Sequence, residues 1–176
     1  MSELDEAWAL ALAEAQRKAH SAGHADIAAY LRLRSSNDLL RKTGIEWLLS
    51  TFTKLAGKAN REGGSIQISE QDAHRFPVGN ATMVGRLLTL SVGVRKLSIE
   101  AGWPRQPSDG FVRGNGLACG SIRHFGKASA NEELLLVRSE KDSPRWVAIE
   151  KSLQRRELLE AGIRNHLARL LSGNYR

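Results

Sequence analysis

Residues 84–151 constrain the fold most strongly, because apolar and polar side chains alternate there over several short segments. Residues 95–103, 133–138 and 145–151 show this period of two, which is typical of β-strands with one buried face. A glycine-rich segment, residues 109–120, lies between the first and the second of them and has the composition of turns. The pattern predicts an antiparallel sheet.

Residues 83–101 are open to two interpretations. Several apolar residues from Met83 to Ala101 fit a helical heptad, whereas an overlapping set fits the alternation of strands. Gly93 lies where the alternation changes phase, and a glycine there would weaken a helix but suits the turn of a hairpin. β-branched residues are also frequent in the segment. We therefore predict two strands joined at Gly93.

The segments before residue 65 have helical periodicity. Ser2 has the chemistry of an N-cap, and apolar residues then recur every three or four positions until Gly23, which is expected to end the first helix. A shorter helical pattern covers residues 26–33. The polar residues 35–38 then supply a cap for a second long helix that ends at residues 63–64. The sequence thus predicts an N-terminal helical layer.

The remaining segments complete an α+β fold in a single domain. Residues 65–69 alternate as a short strand, residues 69–72 could cap one helical turn, and residues 116–125 have the pattern of another strand. A final helix is expected from Ser152 to the end of the chain. The prediction is a helical layer over residues 1–64, mainly antiparallel β-structure of about five strands over residues 65–151, and a C-terminal helix over residues 152–176.

The charge of the chain points to acidic partners. The 176 residues carry a formal net charge of +7, and the isoelectric point is about 10. Residues 65–128 hold eight bases against four acids, so much of the excess falls on the predicted sheet. Such an excess favours phosphate-rich ligands. The alternative is that a modestly basic surface serves solubility alone.

Cys119 is the sole cysteine of the sequence, so no intramolecular disulfide can form and a reducing compartment is expected. The first residues are acidic, unlike the basic start of a secretory signal, and no apolar run approaches the length of a membrane span. We therefore expect a cytoplasmic protein without a membrane partner.

Several common chemistries lack their required context. Residues 114–120 contain a Gly-x-Gly-x-x-x-Gly spacing, but no apolar strand precedes it, so a turn is expected in place of a dinucleotide site. In a strand over residues 116–125, His124 would face away from Cys119 and Ser121, which disfavours a local catalytic dyad. Cys119 is then expected to be buried. Among the histidines, His20 and His24 alone have metal-ligand spacing, and the helix end expected at Gly23 would separate them. No catalytic residue, metal or cofactor is predicted.

Three functions stay open. The leading hypothesis is a non-catalytic domain that binds an anionic partner on a basic face of the sheet. Nucleic acid is the first candidate for that partner. Phosphate contacts and base-stacking aromatic rings would then be the recognition elements. The predicted contacts are Arg95, Lys96, Arg105, Arg113 and Arg123. The candidate stacking residues are Trp103, Phe111, Phe125 and Trp146.

The second hypothesis is an enzyme or a small anionic-ligand binder with a pocket at the glycine-rich turn. Small strand residues there leave room for a ligand. The residues expected to converge are Glu100, Trp103, Asp109, Arg113 and His124. The third hypothesis is a structural or protein-interaction subunit whose helical layer docks a protein partner or a second copy of the chain.

Overall fold

Two antiparallel helices occupy the N-terminal part of the chain. The computed structural model describes residues 3–173, with α1 at Glu3–Ser21 and α2 at Ala25–Arg61. Gly23 has a φ of +75° and lies in the turn between them, so the predicted end of the first helix is confirmed. The predicted cap at Ser2 lies outside the described residues.

Helix α2 runs without interruption through the four polar residues that were expected to begin a new helix. Trp8 Nε1 on α1 donates to Asp38 Oδ2 at 2.7 Å, and Arg41 Nη1 donates to Asp38 Oδ1 at 2.7 Å. The Asp38 carboxylate therefore accepts hydrogen bonds from Trp8 of α1 and from Arg41 of α2, and it does not cap backbone amides. The predicted break at residues 35–38 is wrong for this reason.

Seven antiparallel strands form one sheet in simple sequence order, and a third helix follows. The fold class is α+β as predicted, although the sheet has seven strands where about five were expected. The strands are β1 (Gln67–Val78), β2 (Ala81–Val92), β3 (Arg95–Trp103), β4 (Ala118–His124), β5 (Glu132–Arg138), β6 (Pro144–Ile149) and β7 (Arg155–Glu157), and α3 is Glu160–Ser172.

The sheet extends further at its two edges than predicted. The strand expected at residues 65–69 is the start of the longer β1, so residues 69–72 are extended and do not form the expected helical turn. β1 is largely exposed and has a register shift between Gln71 and His74, where Ala73 has a φ of +52°. β7 is a three-residue strand inside the segment that was assigned to the final helix. Edge strands are often short and polar, which hides them from an analysis of periodicity.

Residues 83–101 form two paired strands. Val92 pairs with Arg95, and Gly93 has a φ of +58° in the tight turn between them. The predicted hairpin is confirmed, and the helical alternative is excluded.

One face of the sheet, the inner face, packs against α2 and α3. The buried residues of this core include Leu48, Leu49 and Phe52 of α2, Leu88, Leu97, Ile99, Ile122, Leu136 and Trp146 of the sheet, and Ile163 and Leu170 of α3. Trp146 Nε1 donates to the carbonyl oxygen of Gly44 at 2.7 Å, so α2 contacts the sheet closely at a residue without a side chain. Among residues 3–173, no helix is both long and apolar enough to cross a membrane.

The opposite face, the outer face, carries a smaller apolar cluster and a polar network. The cluster contains Phe76, Met83, Cys119, Leu135, Val137 and Val147. Cys119 is buried as predicted, and burial raises the pKa of its thiol to about 11. The thiol is therefore neutral and poorly nucleophilic at ordinary pH.

The first turns of α2 extend beyond the part of the helix that packs on the sheet. Residues 25–37 bury one residue, Ala28, whereas the later turns bury most of the apolar side chains that face the sheet. We call α1 together with residues 25–37 the helical arm. The connection from β3 to β4, residues 104–117, lies against this arm.

Candidate functional site

The five basic residues nominated from the sequence do not share one face of the sheet. Lys96 and Arg123 follow the alternation of the outer face, since their neighbours Leu97 and Ile122 are buried in the inner core. Arg95 instead donates through Nη1 to the carbonyl oxygen of Leu171 at the end of α3, at 2.7 Å. A continuous basic sheet face is therefore not formed by these residues.

Acidic neighbours also neutralise Arg123 on the outer face. Arg123 Nη2 donates to Glu133 Oε1 at 2.7 Å, and its Nε lies 3.9 Å from Glu100 Oε1. The excess of bases in this stretch of sequence is thus balanced in space by a carboxylate from β5.

The alternative pocket does not assemble either, because its five residues lie in separate environments. Glu100 belongs to the outer face, where it accepts from Ser121 Oγ at 2.9 Å and contacts His74 Nε2 at 2.9 Å. Its carboxylate lies between the hydroxyl and the imidazole, whereas activation of a serine needs the imidazole next to the hydroxyl. Ser121 is also only 2% exposed.

Asp109 organises the loop after β3. Its Oδ2 accepts from the backbone amides of Arg105 and Gln106 at 3.1 Å each, and Arg75 Nη2 donates to Oδ1 at 2.7 Å. Burial acts to raise the pKa of Asp109, but these hydrogen bonds outweigh it and hold the pKa below its ordinary value. The carboxylate stays charged and fixes the single 3-10 turn at Pro107–Asp109.

His124 is buried on the inner side of the sheet, against α3. Its Nε2 lies 2.9 Å from His166 Nδ1, and both rings are at most 3% exposed. Burial lowers the pKa of His124 to about 4, aided by the nearby positive groups of His166 and Arg169. His124 is therefore neutral near pH 7, and its contact with His166 links β4 to α3.

The structure instead forms a concave site where the loop after β3 faces the helical arm; we call it the arm groove. Its volume is about 410 Å³. Helix α2 contributes Tyr30, Leu33, Arg34, Asn37 and Arg41, and the loop contributes Pro104, Arg105, Gln106, Pro107, Gly110, Phe111, Val112 and Gly116. Three arginines and no carboxylate are among these lining residues.

The aromatic side chains of the arm groove are unusually exposed. Tyr30 is 62% exposed and Phe111 is 71% exposed, and Leu33 beside them is 57% exposed. These side chains come from both walls, Tyr30 and Leu33 from the helix and Phe111 from the loop. The apolar surface of the groove is thus available to a ligand.

The three arginines differ in how they are held. Arg105 stacks on the Trp103 ring at 3.5 Å and donates to Asp5 Oδ1 at 2.9 Å, and its buried Nη1 has no acceptor among the described residues. Arg41 donates through Nε to the carbonyl oxygen of Leu117 at 2.7 Å, which ties the far end of the loop to α2. Both guanidinium groups are fixed before any ligand binds.

Arg34 is the least constrained of the three. Its guanidinium lies over the Trp8 ring at 4.7 Å, and no ion pair to it is found within residues 3–173. Arg34 therefore supplies an uncompensated positive charge at the groove.

The sequence pattern identified the loop residues of this site but not the helical ones. Arg105 and Phe111 were named as candidate contacts, whereas Tyr30, Arg34 and Arg41 were not. An uninterrupted α2 would have placed Tyr30, Arg34 and Arg41 on one helical face through spacings of four and seven. The incorrect break at residues 35–38 concealed that face.

A second cleft of about 410 Å³ lies between α1, α2 and the bulge in β1, and its lining, unlike that of the arm groove, includes the carboxylates Asp5 and Glu46. Arg86 donates to Glu46 and to Glu70 at 2.7 Å each, and Arg105 is paired with Asp5 as described above. Within residues 3–173, no group of three or more metal-ligating side chains is placed to hold an ion. The arm groove is therefore the stronger candidate for an anionic ligand.

Comparisons of the chain with protein-family models, with curated proteins and with solved structures give no match. The function must therefore be inferred from the groove itself.

Proposed function

We propose that the protein binds single-stranded nucleic acid in the arm groove. The observation that carries this proposal is the combination of three arginines, no carboxylate and two exposed aromatic rings on one concave surface. Proteins that bind single strands use the same two elements, positive charge along the phosphates and aromatic rings under the bases. The proposal keeps the nucleic-acid hypothesis but moves it from the sheet face to the groove.

Tyr30 and Phe111 supply the stacking surfaces. Stacking of a base on an aromatic ring contributes roughly 1–3 kcal/mol and tolerates any base, because every base has a π face. Rings on opposite walls allow the groove to hold a base from either side. We therefore expect affinity with little sequence preference.

Arg34, Arg41 and Arg105 supply the phosphate contacts. Arg41 and Arg105 are held by neighbouring groups, so little side-chain entropy is lost when they bind a phosphate. Arg41 and Arg105 are also paired with Asp38 and Asp5, so their charges are shared with those carboxylates. Arg34 adds a charge that no described carboxylate compensates.

Single strands are favoured over duplexes for a geometric reason. The groove offers ring faces inside a concavity, and only an unpaired base can leave its neighbours to reach them. In a duplex the bases are already stacked and paired. We expect a duplex to bind through charge alone and more weakly.

The test is a fluorescence-anisotropy titration of labelled oligothymidylate and mixed-sequence RNA, each about 15 nucleotides long, with a matched duplex for comparison. Affinity should fall as NaCl rises from about 50 to about 200 mM, because phosphate contacts release counterions. Phe111→Ala should weaken binding by about tenfold through the loss of one stacked base. Arg34→Gln should make the slope of log affinity against log salt concentration less steep, by the amount that corresponds to about one phosphate contact.

Matched substitutions elsewhere separate the groove from the sheet. Phe125 is as exposed as Phe111, at 73%, and Arg123 lies on the outer face, so Phe125→Ala and Arg123→Gln control for loss of a ring and of a charge. Both should leave affinity within about twofold of the unmodified protein. If these two controls bind more weakly while Phe111→Ala binds normally, the binding site lies on the sheet and not in the arm groove. Absence of binding at low salt would reject nucleic acid altogether.

A further inference from the structure

A second concavity lies on the outer face, beneath the glycine-rich loop, and has a volume of about 220 Å³; we call it the outer pocket. Its floor is the apolar cluster of the outer face, with Cys119 and Leu135 at the centre and Met83 beside them. Ile149 of β6 and Phe111 of the loop complete the apolar walls. The volume is below the range of roughly 300–1,000 Å³ for drug-sized ligands. The pocket therefore suits a small apolar group.

The loop above the pocket is held in place by close packing. A Cβ atom at Gly116 would lie 2.3 Å from Leu135 Cδ1, so the loop reaches the sheet there because it lacks a side chain. Arg155 Nη2 of β7 donates to the carbonyl oxygen of Gly114 at 2.7 Å and fixes the loop from the other side. The concavity is thus formed before a ligand binds.

The charges at the pocket are asymmetric. Arg113 and Arg155 line it, and within residues 3–173 no hydrogen bond or ion pair engages the Arg113 guanidinium. The one acid of the lining, Glu133, accepts from Arg123 at 2.7 Å and is thereby compensated. A negatively charged ligand would therefore meet two cations, Arg113 and Arg155.

We propose that the outer pocket binds a small monocarboxylate with an apolar body. The body lies on Cys119 and Leu135, and the carboxylate pairs with Arg113 and with the free donors of Arg155. Guanidinium groups favour carboxylates because two parallel N–H donors match the two oxygens. This inference does not require nucleic-acid binding, since Arg113 and Cys119 do not line the arm groove, although Phe111 borders both sites.

Met83 provides a direct reporter of this pocket. The chain has two methionines, so labelling their methyl groups with carbon-13 gives two NMR signals, and Met83→Leu assigns the one from the pocket. Hexanoate is the probe, and 1-hexanol is the uncharged control of the same chain length. We expect hexanoate to shift the Met83 signal in a saturable way and hexanol to bind at least about tenfold more weakly.

Two substitutions test the assignment of roles. Arg113→Gln should weaken hexanoate binding by about tenfold, whereas Arg164→Gln, which removes an exposed arginine from α3, should leave it unchanged. Cys119→Leu adds volume to the floor and should abolish the shift, with circular dichroism and a thermal melt to verify folding.

Three outcomes would overturn the proposal. They are no shift of Met83 with hexanoate at millimolar concentration, equal binding of hexanol and hexanoate, or equal effects of the Arg113 and Arg164 substitutions. Each can be obtained with the intact chain, and none depends on the oligonucleotide titrations. Failure of one site is therefore distinguishable from failure of the other.

Discussion

The two parts of α2 belong to one continuous helix and have opposite surroundings. Residues from Asp38 onward bury Leu48, Leu49 and Phe52 against the sheet, whereas residues 25–37 bury only Ala28. At about 1.5 Å per residue, the 37 residues of α2 extend for roughly 55 Å, which is longer than any strand beside it. Helix α2 thus packs into the core along its later residues and forms an exposed wall of the arm groove along its earlier ones.

Because of this difference, we expect the later residues of α2 to contribute to stability and the earlier ones to ligand binding. In the later part, most apolar side chains that face the sheet contribute through burial. In the earlier half, Tyr30 and Leu33 stay exposed beside Arg34, so they contribute little to folding and are available to a ligand. Substitutions in the two halves should therefore affect different measurements.

The largest effect is expected from Phe52→Ala. Phe52 is fully buried between α2 and the sheet, and removal of a buried phenyl ring costs about 3–5 kcal/mol of unfolding free energy. Urea unfolding measures this loss. Oligonucleotide affinity below the unfolding transition should be unchanged. A loss below about 1 kcal/mol would contradict the assignment of this half to the core.

An intermediate effect is expected on acidification, through His124 under α3. Its pKa is about 4 in the folded protein and about 6.5 when unfolded, so the unfolded state binds the proton first as pH falls. Stability is complete above about pH 6.5 and should fall by on the order of 2–3 kcal/mol toward pH 4.

The control for this prediction is His124→Gln, which cannot titrate. Urea unfolding between about pH 6.5 and pH 5 should show a smaller loss for this variant than for the unmodified protein. Carboxylates that protonate near pH 4 affect both proteins alike, so the difference isolates the histidine. Parallel pH curves would contradict the prediction.

The smallest effect on stability is expected from Tyr30→Ala, the counterpart of Phe52→Ala in the arm. Tyr30 is 62% exposed, so unfolding free energy should change by no more than about 0.5 kcal/mol. Oligonucleotide affinity should fall by about tenfold, since one stacking surface is lost. Destabilisation comparable with that of Phe52→Ala would show that the arm is part of the core.

Much of the fold could be predicted because burial leaves a periodic trace in the sequence. The β2–β3 hairpin and the β5–β6 hairpin alternate clearly, since each has one face in the inner core. β7 and most of β1 lack that trace because they lie at the edges, where few side chains are buried. The break predicted at residues 35–38 failed because Asp38 makes tertiary contacts with Trp8 and Arg41.

The site was harder to predict because it depends on which distant residues meet. Arg105 and Arg123 were both nominated from the sequence as phosphate contacts, yet one pairs with Asp5 of α1 and the other with Glu133 of β5. Neither partner could be assigned from local spacing. The helical periodicity of the arm did not show which distant residues would meet it, so Tyr30 and Arg34 became evident only when α2 was continuous.

Phe111 borders both the arm groove and the outer pocket. One ring therefore forms part of the wall of both proposed binding sites. An occupant that displaces this ring alters the shape offered to the other occupant, and thermodynamic linkage requires the effect on affinity to be mutual. The carboxylate would then change the affinity for the oligonucleotide by the same factor by which the oligonucleotide changes the affinity for the carboxylate.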